Sequence, residues 1–172
     1  MVESLPLETA RPRLKIAYAH VYHLTLSIEI AGEAAMIELG KRIAPRISRG
    51  AMIYLSGDLG AGKTTLARGI LKGCGHAGSV TSPTYTLLET YTLPSLVVHH
   101  FDLYRMKTPF ELEQIGLRDL LDGEAIALVE WPDRGRGVLP PADVRIDIGF
   151  TPSGRSIALP HCLLEDHGAA PG

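Results

Sequence analysis

From residue 20 onward, short apolar runs alternate with amphipathic stretches, a pattern that predicts strands joined by helices. Tyr22 to Ile28 has the every-second-residue pattern of a strand. Ala31 to Ile47 then places Ala34, Ala35, Ile37, Leu39, Ile43 and Ile47 near helical spacing, with Pro45 expected to disturb the last turn. Ala51 to Leu55 reads as a buried strand, and Lys63 to about Cys74 as a helix closed by Gly73 and Gly75. After a polar loop at His76 to Pro83, strands are expected at Thr84 to Tyr91 and Leu96 to Phe101. A helix is expected from Pro109 through Leu121, stopped at Asp122-Gly123, and a third buried strand at Ala125 to Val129. Val144, Ile146, Ile148 and Phe150 alternate, Thr151 to Gly154 turns, and Ser156 to Leu159 returns as a closing hairpin. The sum is an α/β fold in three layers, with a central mixed, partly parallel sheet covered by helices and a C-terminal β-hairpin.

Met1 to Ala19 mixes proline, charge and small residues and reads as an N-terminal extension; residues 20–160 read as one domain and 161–172 as a tail. A chain of 172 residues, 45% hydrophobic, can bury a substantial core without disulfides. Seventeen Lys and Arg against 19 Asp and Glu give a net charge of -2, far from the basic excess that grips a nucleic acid unaided, so any contact with RNA is expected to be shared with a partner. Cys74 and Cys162 fit neither a disulfide framework nor a zinc site and suit a reducing cytoplasm. No stretch approaches the roughly 18 apolar residues of a membrane span.

Between the strand at Ala51–Leu55 and the next helix lies SGDLGAGKTT, Ser56 to Thr65. Its glycines, with Lys63 and Thr64 in register and a strand and helix on either side, fit the phosphate-binding loop pattern of nucleotide-binding proteins (the P-loop). Small residues let successive backbone N–H groups approach a polyphosphate, and the helix adds its positive end. Gly57, Leu59, Gly60, Ala61, Gly62, Lys63, Thr64 and Thr65 are therefore the candidate phosphate-binding set. Lys63 would reach the outer phosphates, and the Thr64 hydroxyl would ligate Mg2+.

Such an ion wants carboxylate help from neighbouring strand ends, where ligands of these sheets bind. Asp102 and Glu130 each follow an apolar strand and are the candidates: one binds or orients the ion, the other ligates it or positions the attacking water, and the spacing serves either assignment. Ser82 and Thr84 lie where nucleotide switches sense the last phosphate, against the competing reading of a polar turn stiffened by Pro83. Trp131 follows Glu130 as an anchor for a partner or base, or as core. His20, His23, His99 and His100 are read as structural or exposed.

Five motifs in order, GDLGAGKTT, TSPTYTLLE, HFDLYR, ELEQIGLRD and VEWP, closely resemble the bacterial TsaE family, from about Leu24 to Leu159. The resemblance implies a P-loop ATPase needed for threonylcarbamoyladenosine formation on tRNA. It would act with a two-protein complex that performs the transfer to the adenosine beside the anticodon, and would touch tRNA only through that complex. By position it implies ATP and Mg2+ as cofactors and phosphate contacts from Gly60 to Thr65. Magnesium would be held by Thr64 and Glu130, hydrolysis supported by Asp102, and Trp131 would lie close by. Glu33, Asp133 and Arg155 match positions near nucleotide in the family. Ala35-Met36 departs from the family's frequent alanine then threonine, so a hydroxyl contact with nucleotide is not expected there. A small-molecule kinase of the same fold class is the rival reading, with Arg134 and Arg136 as its only nearby candidate lid arginines and no insertion to carry a lid. A non-hydrolysing nucleotide sensor is the third.

Overall fold

The computed structural model describes residues 24–83 and 85–165; the extension at 1–19, the predicted strand start at Tyr22, His20, His23 and the candidate Thr84 lie outside the described residues. The strands are β1 (Thr25–Ile30), β2 (Met52–Gly57), β3 (Leu88–Thr92), β4 (Val97–Asp102), β5 (Ile126–Glu130), β6 (Val144–Thr151) and β7 (Gly154–Pro160). They form one sheet in the order β1-β7-β6-β2-β5-β4-β3. At its centre β2 runs parallel to both β5 and β6, and β4 runs parallel to β5. The expected hairpin β6–β7, β1 beside β7, and β3 beside β4 supply the antiparallel part.

Strands β2 and β5 are apolar almost throughout because both faces of the sheet are covered. Ile53, Leu55, Ile126 and Leu128 pack on one side with helices α1 (Gly32–Ile43) and α2 (Lys63–Gly73). Their neighbours Met52, Tyr54, Ala127 and Val129 face the other side, with Leu112 and Leu117 from the short helices α3 (Phe110–Gln114) and α4 (Leu117–Leu120). This period-2 alternation has a direct consequence for function. Val98 on β4 belongs to the α1–α2 side, so His100 and Asp102 share that face, as does Glu130 at the tip of β5.

α1 and α2 approach closely through Gly40 and Gly69: a Cβ at Gly69 would stand 2.5 Å from the Ile37 carbonyl oxygen and 2.9 Å from Gly40 Cα. Gly69→Ala gains up to about 1 kcal/mol of helix propensity, but forcing backbone apart in a packed interior costs about 1–3 kcal/mol. The expected net is lower stability, read as a lower denaturant midpoint with unchanged slope; an unchanged or raised midpoint would mean the helices have room to spare.

Three elements differ from the sequence expectation. Pro45 ends α1 as foreseen, but the chain continues as a 3-10 turn at Ala44–Arg46. The helix expected from Pro109 through Leu121 is divided by Gly116, whose φ of 75° starts α4 afresh. The strand expected from Thr84 begins only at Leu88, because residues 85–86 turn and Leu87 takes a left-handed φ of 63°. Cys162 and Leu163, in a closing 3-10 turn, are buried in the α1–α2 core.

Candidate functional site

The glycine loop leaves β2 at Gly57, which is paired with Ile148 of β6. At its φ of 142° a Cβ would meet the Ile148 carbonyl oxygen at 2.3 Å, so no other residue fits where the loop turns away from the sheet. Gly62, with φ 114°, starts α2, and no side chain caps that helix. The first-turn N–H groups of Lys63, Thr64 and Thr65 thus sit at the positive end of α2 with no side-chain acceptor, the arrangement that favours an anion. Ala61 is fully buried, whereas Leu59 projects from the loop. Arg155 reaches over from β7 and donates from Nε to the Ala61 carbonyl (3.0 Å) and from Nη2 to the Gly60 carbonyl (3.3 Å). It therefore holds the loop through its backbone and is itself backed by the Phe150 ring, 4.3 Å away.

Lys63 is 4% exposed. Its ammonium donates to the carbonyls of Gly57 (2.7 Å) and Asp58 (2.8 Å) and lies 3.8 Å from the centre of the Trp131 ring. Burial pulls its pKa below the usual lysine range, while the charges of Glu130, Asp102 and Asp58 oppose that shift. Trp131 takes a left-handed φ of 58°, an outlier for a bulky residue costing about 1–3 kcal/mol. The turn sets its ring against both the lysine and Tyr104, whose ring centre is 4.9 Å away.

The parallel register pairs Asp102 with Glu130, putting both carboxylates side by side at the carboxyl edge of the sheet, 4% and 2% exposed. The Thr64 hydroxyl donates to Glu130 Oε2 at 3.0 Å, and His100 Nε2 lies 2.8 Å from Oε1. Asp102 accepts from the Ser82 hydroxyl (Oδ2, 2.9 Å) and from the Tyr104 N–H (Oδ1, 3.1 Å). The structure therefore brings the loop lysine, the loop threonine, both strand-tip acids, Ser82 and Trp131 together. Of the two expectations for His100, structural or exposed, the second does not hold: it is fully buried beside Glu130. Its place two residues before Asp102 on the same strand face was legible, but contact with Glu130 depended on β4 lying beside β5.

Two candidates have other engagements. Glu33 pairs with Arg68 of α2 at 2.7 Å, and Asp133 pairs with Arg136 on the surface at 3.1 Å. At the departure Ala35-Met36, Met36 is buried, and its Cε would stand 3.2 Å from a Cβ at Gly62, so an apolar side chain abuts the loop there. Among the described residues no three His, Cys, Asp or Glu side chains form a cluster able to hold a metal ion. Two adjacent buried carboxylates and a threonine hydroxyl do suit a hard divalent cation, provided an anion in the loop contributes further oxygens. No helix among the described residues is long and apolar enough to cross a membrane.

A glycine loop of this pattern at the head of α2, with acids on the adjacent strand tips, is the layout of P-loop proteins. Comparison with known proteins agrees. The chain is similar to the tRNA threonylcarbamoyladenosine biosynthesis protein TsaE of Haemophilus influenzae, 45% identical over 140 residues covering 78% of this chain and 89% of that one. It is similar to the protein of the same description from Rickettsia conorii, 38% identical over 112 residues, 64% of this chain and 63% of that one. The crystal structure of Bacillus subtilus YdiB matches with a TM-score of 0.67 and 28% identity, over 79% of this chain and 84% of that one. The family model described as threonylcarbamoyl adenosine biosynthesis protein TsaE matches residues 30–157, and with that span and these relatives the chain belongs to the TsaE family.

Proposed function

We propose that this protein is a magnesium-dependent ATPase required for threonylcarbamoyl formation on the adenosine beside the tRNA anticodon, acting with a two-protein complex that performs the transfer. The observation that carries this reading is the convergence of Lys63, Thr64, Asp102 and Glu130 around one loop, with Thr64 bonded to Glu130. Family membership, with relatives named for tRNA threonylcarbamoyladenosine biosynthesis, supports the pathway. The net charge of -2 favours reaching tRNA through partners rather than alone.

In this reading the backbone N–H groups at the start of α2 bind the phosphates, and Lys63 exchanges its hold on the Gly57 and Asp58 carbonyls for phosphate oxygens. Thr64 and Glu130 are the residues to hold magnesium, which when bound offsets charge on the phosphate oxygens. Asp102, fixed on both oxygens by Ser82 and Tyr104, orients the attacking water. Trp131 closes the lysine side of the site.

The test is to incubate the protein with magnesium and ATP, with and without the two partner proteins and tRNA, and to measure phosphate release and threonylcarbamoyladenosine. Modification that needs both this protein and ATP is expected. ATP-dependent phosphorylation of a metabolite, indifferent to the partners, would establish the kinase reading instead.

A further inference from the structure

His100 opens the HFDLYR motif without an assigned role in the site, yet it is fully buried and holds one oxygen of Glu130. A carboxylate can only accept, so the 2.8 Å contact requires a proton on Nε2, and in the neutral ring Nδ1 is then a bare acceptor. Among the described residues Nδ1 has no hydrogen-bond partner. An unsatisfied buried acceptor is destabilising, and a leucine at this position would carry no such penalty. The ring is therefore explained by what its other nitrogen does.

We infer that His100 is a positioning residue for the cation site: its Nε2–H ties down Glu130 Oε1, so that Oε2, the oxygen bonded to Thr64, is the one presented to magnesium. This deepens the proposed function and rests on it. Without the tie, the Glu130 carboxylate at the end of β5 keeps of these two hydrogen bonds only that from Thr64 to Oε2, and can pivot about it toward the buried Lys63 ammonium, whose charge attracts it. The hydrogen bond to a ligating carboxylate thus selects one orientation from several, as outer partners of metal ligands do.

Two amides of different reach provide the test. In His100→Gln the side-chain N–H falls near the position of Nε2 and keeps the tie; in His100→Asn it falls near Nδ1 and cannot reach Glu130. Affinity for Mn2+ in the ADP complex, read from the loss of the free-ion electron paramagnetic resonance signal, is expected to fall about 10–100-fold in the asparagine variant. The glutamine variant is expected to stay within about threefold of wild type, since its tie persists. ADP binding without metal should be unchanged in both. Equal Mn2+ affinity in the asparagine variant and wild type would overturn the inference while leaving the ATPase reading intact. Failure of the wild type itself to bind Mn2+ with ADP would overturn that reading, and the inference with it. A measurement needing no variant stands beside these: 15N spectra of the histidine-labelled wild type with magnesium and ADP should show His100 as the Nε2–H tautomer, and an Nδ1–H tautomer would overturn the inference.

Discussion

Replacing Lys63 with alanine is expected to reduce ATP turnover by at least about 10²–10³-fold, the usual effect of removing one preorganised charge from a transition state. Lys63 is 4% exposed, and its ammonium lies close enough to Glu130 and Asp102 for their charges to act on it. A charge so far removed from water acts through a low local dielectric and is worth far more than a surface lysine. Alanine would leave two neighbouring buried carboxylates without this counter-charge just as a polyanion must enter, so nucleotide affinity should fall along with turnover. Phosphate release and nucleotide binding, measured side by side, check this. Turnover within a few-fold of wild type would remove the lysine from the mechanism.

The second large effect is expected at Glu130. Glu130→Gln keeps the size of the side chain and an oxygen for His100 or Thr64, but it removes the negative charge. Magnesium prefers charged oxygen ligands, so turnover should fall by about 10² or more. Binding of metal-free nucleotide should be kept or improved, since a negative charge beside the phosphates has gone. Asp102→Asn is expected to cost less, because hydrogen bonds from Ser82 and Tyr104 engage both carboxylate oxygens and keep that side chain in place. Wild-type turnover in the Glu130 variant, with unchanged magnesium dependence, would eliminate that carboxylate as a ligand.

These residues could be singled out in the sequence because each depends on local chain properties. Gly57 and Gly62 mark where the backbone turns and α2 begins, Lys63 and Thr64 follow in fixed register, and Asp102 and Glu130 each end an apolar run. Features decided by pairing were harder to read. That β4 lies directly beside β5, with Asp102 opposite Glu130, is a long-range choice that no local periodicity encodes, and His100 acquires its role only through it. Likewise the partner of Glu33 is Arg68 on another helix, and Arg155 reaches the loop only because β7 folds back beside β6. The division of the predicted Pro109–Leu121 helix turned on the conformation of Gly116, which helical spacing on either side conceals.

Calorimetric titration of the protein with magnesium and ATP tests the central claim most directly. One nucleotide is expected to bind per chain, with markedly weaker binding to Lys63→Ala. No heat of association at ample magnesium, even with the two partner proteins added, would contradict a phosphate-binding role for the loop from Gly57 to Thr65.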